Sequence, residues 1–239
     1  MEFIEKKQLK KQYRVFGKFY ILNYDTKVNK CCRSILEIFE KNNYSRLKET
    51  RNIDAIFVMM NPGKGRPIKK YDCPNISLSE IKNGKLGEIE LVEMEPDDTQ
   101  YQVMRIMKEM NWKYIRVINL SDYRSPKSKE FYKMIKEASE TFDSEFIHSI
   151  FSEQRNQEID RIFQSNIKFK IIVAWGVNTK LHKLIQLAIE NRNICERIGN
   201  TKDTYKSKKR KNFYYYHPLQ REKSKQILWL EKIIKKLKS

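Results

Sequence analysis

The chain has 239 residues, of which 40% are hydrophobic and 12% are aromatic. It is long enough to bury a sizeable core, and its sequence has no apolar run of membrane-spanning length. The first residues also lack the apolar segment of a signal peptide. We therefore expect a globular, cytoplasmic protein that does not enter a membrane.

The net charge is +19 and the isoelectric point is about 9.6. A positive field of this size attracts polyanions, so nucleic acid is the first candidate partner and an acidic membrane surface is the second. The alternative is a lysine-rich proteome, encoded by an AT-rich genome, in which every protein carries extra lysine. The charge is uneven along this chain, which favours nucleic acid.

The four cysteines do not form a metal or redox motif. Cys31 and Cys32 are adjacent, Cys73 and Cys195 stand alone, and no CxxC pair occurs. The three histidines share no ligand spacing with them. The sequence predicts no metal and no cofactor.

The first half of the chain begins with a charged lead-in at residues 1–12. Residues 13–22 are aromatic and β-branched, which predicts a strand. Residues 32–42 have apolar side chains spaced as on one face of a helix. Residues 55–60 are an unbroken apolar run, typical of a parallel strand buried on both faces. Residues 64–97 show little periodicity and are predicted to form a long insertion loop.

In the second half, Asp97-Asp98-Thr99 offers an amino-terminal cap to a helix. Strands are predicted at 114–120, 169–175 and 213–216, and helices at 125–138, 152–163, 177–190 and 219–237. Residues 202–212 form a basic loop. Strands that alternate with helices indicate βαβ units. We predict one α/β domain over 1–239, a three-layer α/β/α sandwich with a central, mainly parallel sheet.

Four of these strands end on short polar or glycine signals: Asn61-Pro62-Gly63, Asn119-Leu120, Trp175-Gly176 and His217-Pro218. The carboxyl ends of parallel strands meet at one edge of a sheet, where ligands bind. We expect these signals to converge there. The alternatives are that the first is only a turn, that Asn119 caps a loop, that Trp175 is a core residue and that His217 is a satisfied, buried histidine.

The order of these motifs resembles the uracil-DNA glycosylase superfamily over residues 55–220. In that superfamily the first motif reads Asn-Pro-Gly in the mismatch-specific and single-strand-selective branches. A later strand ends on a base-reading asparagine, another ends near Trp-Gly in some members, and the last motif opens with His-Pro. The resemblance implies a uracil-DNA glycosylase-like fold.

A closer likeness is to an uncharacterised bacterial family, a domain of unknown function, with Asn-Pro, Asp-Thr, Asn-Leu, Trp-Gly and His-Pro-Leu motifs. Here these are Asn61-Pro62, Asp98-Thr99, Asn119-Leu120, Trp175-Gly176 and His217-Pro218-Leu219. This likeness implies no established activity.

The resemblance to the glycosylases implies roles for individual residues. Asn61 would position a water for attack on the sugar, and His217 would donate a hydrogen bond to the departing base. Asn119 would read the base edge with its amide. Pro62 and Gly63 would also border the base.

Two further assignments are less direct. Tyr71 is the nearest downstream aromatic that could stack on the base. Asp98 is a possible additional acid, although such a residue is more often a helix cap. The family pattern is also incomplete, because Asn61 stands where the fastest branch has Asp and no serine follows His217-Pro218-Leu219.

Basic side chains near the predicted edge are expected to contact the DNA backbone; they are Lys64, Arg66, Lys69, Lys206, Lys208, Lys209, Arg210 and Lys211. The alternative for residues 206–211 is a solvated surface loop.

These observations predict a metal-independent, monomeric DNA base glycosylase. It would flip out and excise a uracil-like or modified pyrimidine, such as a substituted base of phage DNA, and a role in defence against phages would follow. The alternatives are a non-catalytic nucleic-acid-binding protein on the same fold and a hydrolase of free nucleotides or nucleosides.

Overall fold

The computed structural model describes residues 3–24, 28–44, 52–141, 146–165, 167–191, 194, 196–201 and 213–239. In these ranges seven strands form one sheet: β1 Tyr13–Tyr24, β2 Val28–Glu40, β3 Ala55–Met59, β4 Asn75–Ser77, β5 Val92–Glu93, β6 Tyr114–Asn119 and β7 Lys170–Ala174. The strand order is β4-β1-β2-β6-β3-β7, and β5 pairs with the free part of β1.

The α-helices of the same ranges are α1 Lys6–Gln12, α2 Leu78–Lys82, α3 Asp98–Glu109, α4 Ser128–Thr141, α5 Asn156–Phe163, α6 His182–Glu190 and α7 Lys223–Lys238. Short 3-10 turns precede α5 and α6. None of the helices in the described ranges is long and apolar enough to cross a bilayer.

The sheet is mixed but mainly parallel in direction. β3 is parallel to both β6 and β7, and β4 is parallel to β1. β2 is antiparallel to both of its neighbours and β5 is antiparallel to β1. Five of the seven strands therefore point the same way, and their carboxyl ends share one edge, as predicted.

Helices cover both faces of the sheet. The face that carries Ile56 and Val58 packs against α4, α5 and α6, and we call it the first face. The face that carries Phe57 and Met59 packs against α1, α3 and α7, and we call it the second face. The predicted three-layer α/β/α architecture is confirmed.

The predictions for β1, β3, β6 and β7 are confirmed to within two residues. The predicted helices in the second half also form, although α4, α5, α6 and α7 each begin a few residues later than expected. Every side chain of β3 is buried, because both faces of this central strand are covered.

The predicted helix at 32–42 is wrong, because residues 32–40 belong to β2 and Lys41–Asn43 form a 3-10 turn. Residues 32–39 are all buried, and Leu36 and Ile38 lie on the second face while Ile35 and Phe39 lie on the first. A strand covered on both sides shows no alternation of polar and apolar residues, and its apolar spacing imitated that of a helix.

Two segments expected to lack regular structure contain it. The lead-in forms α1, whose Leu9 is fully buried on the second face. The predicted loop at 64–97 contributes β4, α2 and β5, and Ser77 caps α2 through a capping box with Glu80. Both segments pack against the long β1–β2 hairpin or the elements beside it. This packing explains why they adopt regular structure.

The predicted strand at 213–216 is wrong. Only isolated antiparallel bridges form here, from Tyr215 to Gly176 and to Thr201. Tyr215 packs edge-on against Trp175, and the Trp175 indole donates to the Phe213 carbonyl. The segment therefore crosses the end of β7 and does not extend the sheet.

A buried ion-pair network lies on the first face. Arg155 is fully buried and donates to the carboxylates of Asp122 and Glu158, at 2.8 Å each. Tyr20 also donates to Asp122, at 2.8 Å. These bonds fix the chain that follows β6 against α5.

We expect Arg155→Met to lower the free energy of unfolding by about 3–5 kcal/mol, because it leaves a buried carboxylate unpaired. Lys238→Met is the control, since Lys238 pairs with Glu109 at the surface and should cost less than about 1 kcal/mol. Urea unfolding measures both. Equal losses in the two variants would contradict the structural role of the buried pair.

Candidate functional site

The carboxyl edge of the parallel strands carries Asn119 in a buried position. Asn119 pairs with Met59 in the parallel register of β6 and β3, so both side chains lie on the second face. Asn119 is only 1% exposed, and no described residue accepts a hydrogen bond from its amide nitrogen Nδ2. A buried donor without a partner costs free energy, so it calls for a partner such as an ordered water, an ion or a ligand.

The chain bulges just after Asn119. Val117 pairs with Leu36 and Tyr123 bridges to Cys32, so the β6 chain gains two residues over β2 between these pairs. Bulges of this kind change the direction of side chains beside functional sites. This one separates β6 from the segment at 122–124, which returns to pair with β2.

Asn61 follows β3 at the same edge. Its Nδ2 donates to the Ser125 carbonyl at 2.8 Å, which fixes the orientation of the amide group. The other amide atom, Oδ1, accepts no hydrogen bond from the described part of the chain and is the only side-chain group of Asn61 left to bind a water or ligand.

Gly63 brings the α3 amino terminus to this edge. Its φ is +67°, and a Cβ atom here would lie 2.8 Å from Asp97 Oδ2, so only glycine fits. The chain then runs antiparallel to the segment before α3, with Ile68 N donating to Glu93 O and Glu95 N to Arg66 O. These bonds hold Asn61-Pro62-Gly63 beside Asp97.

Asp97 is the amino-terminal cap of α3, as predicted. Its Oδ1 accepts hydrogen bonds from the backbone amides of Thr99 and Gln100, and the Asp97 backbone amide donates to Gln100 Oε1. Oδ2 points towards Gly63 and receives no hydrogen bond from the described residues. A negative oxygen is thereby fixed at the edge of the site.

His217 reaches the site from the segment that follows β7. The preceding carbonyl, Tyr216 O, accepts a hydrogen bond from the Trp229 indole of α7 at 2.9 Å. Leu219 N donates to His217 Nδ1 at 3.2 Å. Because Nδ1 accepts, the neutral ring carries its proton on Nε2, which is then a donor.

The pKa of His217 is lowered to about 4, because its surroundings exclude water and disfavour the charged ring. The Asp97 carboxylate acts in the opposite direction and raises the His217 pKa. Part of the His217 surface remains accessible. His217 is therefore a neutral hydrogen-bond donor at physiological pH.

The remaining predicted base-binding residues lie at different depths. Pro62 is buried between Asn61 and Gly63. Tyr71 is half-buried and packs at the margin of the second face, where burial raises its pKa. Asp98 is not part of the site, because its carboxylate pairs with Lys6 at 2.6 Å near the surface.

The predicted DNA contacts are only partly within the described chain. Lys64, Arg66 and Lys69 are exposed on the segment that leaves Gly63. The predicted contacts Lys206, Lys208, Lys209, Arg210 and Lys211 lie outside the described residues.

The structure adds three charged residues that the sequence did not reveal as a group: Asp97, Arg33 and Arg124. The sequence did not place Arg33 at the site, because residues 32–42 were predicted to form a helix. Arg124 follows Asn119 in sequence but reaches the site only through the bulge. Asp97 gave a signal, the helix cap, which did not distinguish it from Asp98.

Trp175 is fully buried in the first-face cluster and is a core residue. Within the described ranges, no three or more His, Cys, Asp or Glu side chains are arranged to hold a metal ion. The polar side chains that the described ranges place at this edge are two amides, a neutral imidazole, a carboxylate and two guanidinium groups.

The fold and this edge define a three-layer α/β protein with a polar site at the carboxyl ends of its parallel strands. The family model described as "Protein of unknown function (DUF1643)" matches residues 90–219, more than half of the chain. The chain belongs to this family, which confirms the predicted membership of an uncharacterised group. The match includes Asp98-Thr99, Asn119-Leu120 and His217-Pro218-Leu219. Searches of curated proteins and of solved structures found no match.

We expect nuclear magnetic resonance to show His217 neutral at about pH 6, with the proton on Nε2 and a pKa of about 4. Asp97→Asn should lower this pKa further, because the negative charge that favours the imidazolium is removed. Asp98→Asn is the matched control and should leave the His217 titration unchanged, since its carboxylate pairs with Lys6. A shift of equal size in both variants would contradict the proximity of Asp97 to His217.

Proposed function

We propose that this protein is a DNA glycosylase that takes a flipped uracil-like or modified pyrimidine into the edge formed by Asn61, Asn119 and His217. The observation that carries the proposal is the buried, unpaired amide nitrogen of Asn119. A pyrimidine edge offers the carbonyl that this donor lacks. Asn119 Oδ1 can accept from a ring N–H, so one amide can read two neighbouring atoms of the base.

His217 is suited to stabilise the leaving base. When the N-glycosidic bond breaks, negative charge develops on the base oxygen. The Nε2–H of a neutral imidazole can donate to that oxygen. Because Leu219 N fixes the ring through Nδ1, little reorientation is needed as the charge develops.

Asn61 and Asp97 are suited to the sugar side of the reaction. The transition state resembles an oxocarbenium ion and needs only a weak nucleophile. Asn61 Oδ1 can accept a hydrogen bond from the attacking water, because Nδ2 is already bonded to Ser125 O. The Asp97 carboxylate, fixed beside Gly63, can stabilise the positive charge of the sugar.

The charge distribution supports DNA as the carrier of this base. The net charge is +19, and Lys64, Arg66 and Lys69 are exposed on the segment that begins at Gly63. Phosphate contacts of this kind position a nucleic acid without reading its sequence. The base would then be selected at the edge itself.

We expect Asn61→Ala and His217→Ala each to slow base release by about two to three orders of magnitude, the loss typical of one preorganised polar group. DNA affinity should change little, because phosphate contacts dominate it. Asn75→Ala, an exposed position on β4, is the matched control and should retain full activity.

The measurement is single-turnover release, detected by alkali cleavage at abasic sites, on single and double strands with uracil or substituted pyrimidines. Equilibrium binding is measured separately. If neither variant slows a release that the wild type performs, the assigned site is wrong. If the wild type releases no base from any strand, a non-catalytic binder is the better interpretation.

We also expect DNA affinity to fall steeply with salt. About four phosphate contacts give a log–log slope of about −3.6. Replacing Lys206, Lys208, Lys209, Arg210 and Lys211 with Ser should flatten this slope by several units. Five Lys→Ser changes on α7, at Lys225, Lys232, Lys235, Lys236 and Lys238, form a control of equal charge. A slope that changes only in the control would assign the DNA contacts to α7.

A further inference from the structure

Arg33 is a buried arginine with no carboxylate in contact with its guanidinium group. It is 1% exposed, and it lies on the second face because it pairs with Phe19 across β1 and β2. Its Nη1 has Met94 Sδ at 3.7 Å as a weak acceptor, and no described residue accepts from its Nε. No carboxylate of the described chain lies within ion-pair distance of it.

The other buried arginines of the described chain all have oxygen acceptors. Arg105 is 3% exposed and has no acid partner either, but it donates to Ile4 O at 2.9 Å and to Gln102 Oε1 at 3.3 Å. Arg155 contacts Asp122 and Glu158 at 2.8 Å. Arg116 contacts Glu37 at 2.7 Å. A buried charge without compensating acceptors is strongly unfavourable. Arg33 differs from these three arginines because no oxygen atom of the described chain accepts a hydrogen bond from its guanidinium group.

Arg124 adds a second positive charge next to Arg33. The segment at 122–124 pairs with β2, with Arg33 N donating to Asp122 O and Arg124 N to Cys31 O. The Arg124 guanidinium lies 5.0 Å from the Phe19 ring. Burial is the main cause of the lowered pKa of Arg33, and the like charge of Arg124 adds to it, while the carboxylates of Asp97 and Asp122 act in the opposite direction.

Gly65 lies between the two guanidinium groups. Arg124 Nη2 donates to Gly65 O at 2.6 Å, and a Cβ atom on Gly65 would lie 3.3 Å from Arg33 Nη1 and would clash with Met94 Cε. No described residue accepts from Arg124 Nε, which is also buried. The turn that carries Asn61 and Gly63 therefore continues directly over the arginine pair.

We propose that Arg33 and Arg124 form an anion site for a phosphate group of the nucleotide whose base lies at Asn119. Arg124 is half-buried and would contact the phosphate from the surface side. Arg33 would supply the second positive charge from the interior of the protein. Planar guanidinium groups bind phosphate oxygens in pairs. The anion would supply the directly bonded acceptors that Arg33 Nε and Arg124 Nε do not find in the described chain.

This inference deepens the proposed function and rests on it for the identity of the neighbouring base. The phosphate could belong to a DNA strand or to a free nucleotide. Both carry the same group at a similar distance from the base, so the chemistry of the two arginines does not depend on the choice.

The test measures binding of inorganic phosphate to the intact protein by titration calorimetry, with chloride at equal ionic strength as the reference. We expect the wild type to bind phosphate and Arg124→Gln to weaken it by about tenfold or more, the effect of losing a charge-assisted contact. Arg161→Gln, at an exposed arginine of α5, is the matched control and should bind nearly as the wild type does.

Arg33→Lys keeps the charge but removes the planar fork, and it should weaken phosphate binding while the protein stays folded. Arg33→Met should remove phosphate binding; its far-ultraviolet circular dichroism tests whether it folds. No binding by the wild type, or equal binding by Arg124→Gln and the wild type, would overturn the proposal.

Two further ligands identify the source of the phosphate. If binding strengthens from deoxyuridine to its 5′-monophosphate only in the wild type, a free nucleotide occupies the site. If a neutral methylphosphonate beside the target base weakens DNA binding only in the wild type, the phosphate is that of a strand. Neither assay requires base release, so phosphate binding without release would refute the glycosylase and retain the anion site.

Discussion

The central constraint on this molecule is that β3, β6 and β7 are covered by helices on both faces. Every side chain of β3 is buried, and so are most of those of β6. Such strands must be almost entirely apolar. Polar chemistry can then begin only where they end, so the carboxyl edge is where the sequence changes from apolar to Asn and Gly.

The β1–β2 hairpin widens the sheet and also changes the shape of its carboxyl edge. β1 and β2 have 12 and 13 residues, against 6 in β6, so the hairpin continues past the edge at which β6 ends. Arg33 lies on this projecting part, beside the segment that follows β6. The hairpin therefore provides a wall to the edge, and polar side chains on the second face of that wall point over the strand ends.

The sequence predicted the elements whose periodicity was unambiguous. The apolar run at 55–60 and the cap at Asp97 both depend on local chemistry, and both are confirmed. β2 and the segment at 213–216 depend instead on what covers them. The buried polar residues Arg33, Ser34 and Glu37 interrupt β2, so β2 lacks the unbroken apolar run that identified β3. A chain that crosses a strand end has no local signature either, and tertiary packing decided both segments.

The candidate site was predictable in part for the same reason. Asn61 and Asn119 could be placed together because parallel strands bring their ends to one edge. The position of His217 beside Asp97 follows from the bridges of Tyr215 and the hydrogen bond of Trp229 to Tyr216, which no sequence spacing encodes. The arginine pair was missed because Arg33 belongs to β2, and because a two-residue bulge places Arg124 against it.

The unpaired polar groups of the second face are informative because they are costly. Each buried donor without a partner costs about 1–3 kcal/mol, and more when it is charged, against a total stability of about 5–15 kcal/mol for a domain. Asn119 Nδ2, Arg33 Nε and Arg124 Nε are all such donors. An apolar residue at any of these positions would remove the cost. Donors kept at such a cost are expected to meet acceptors on a ligand, and the pyrimidine nucleotide that we propose carries both carbonyl and phosphate oxygens.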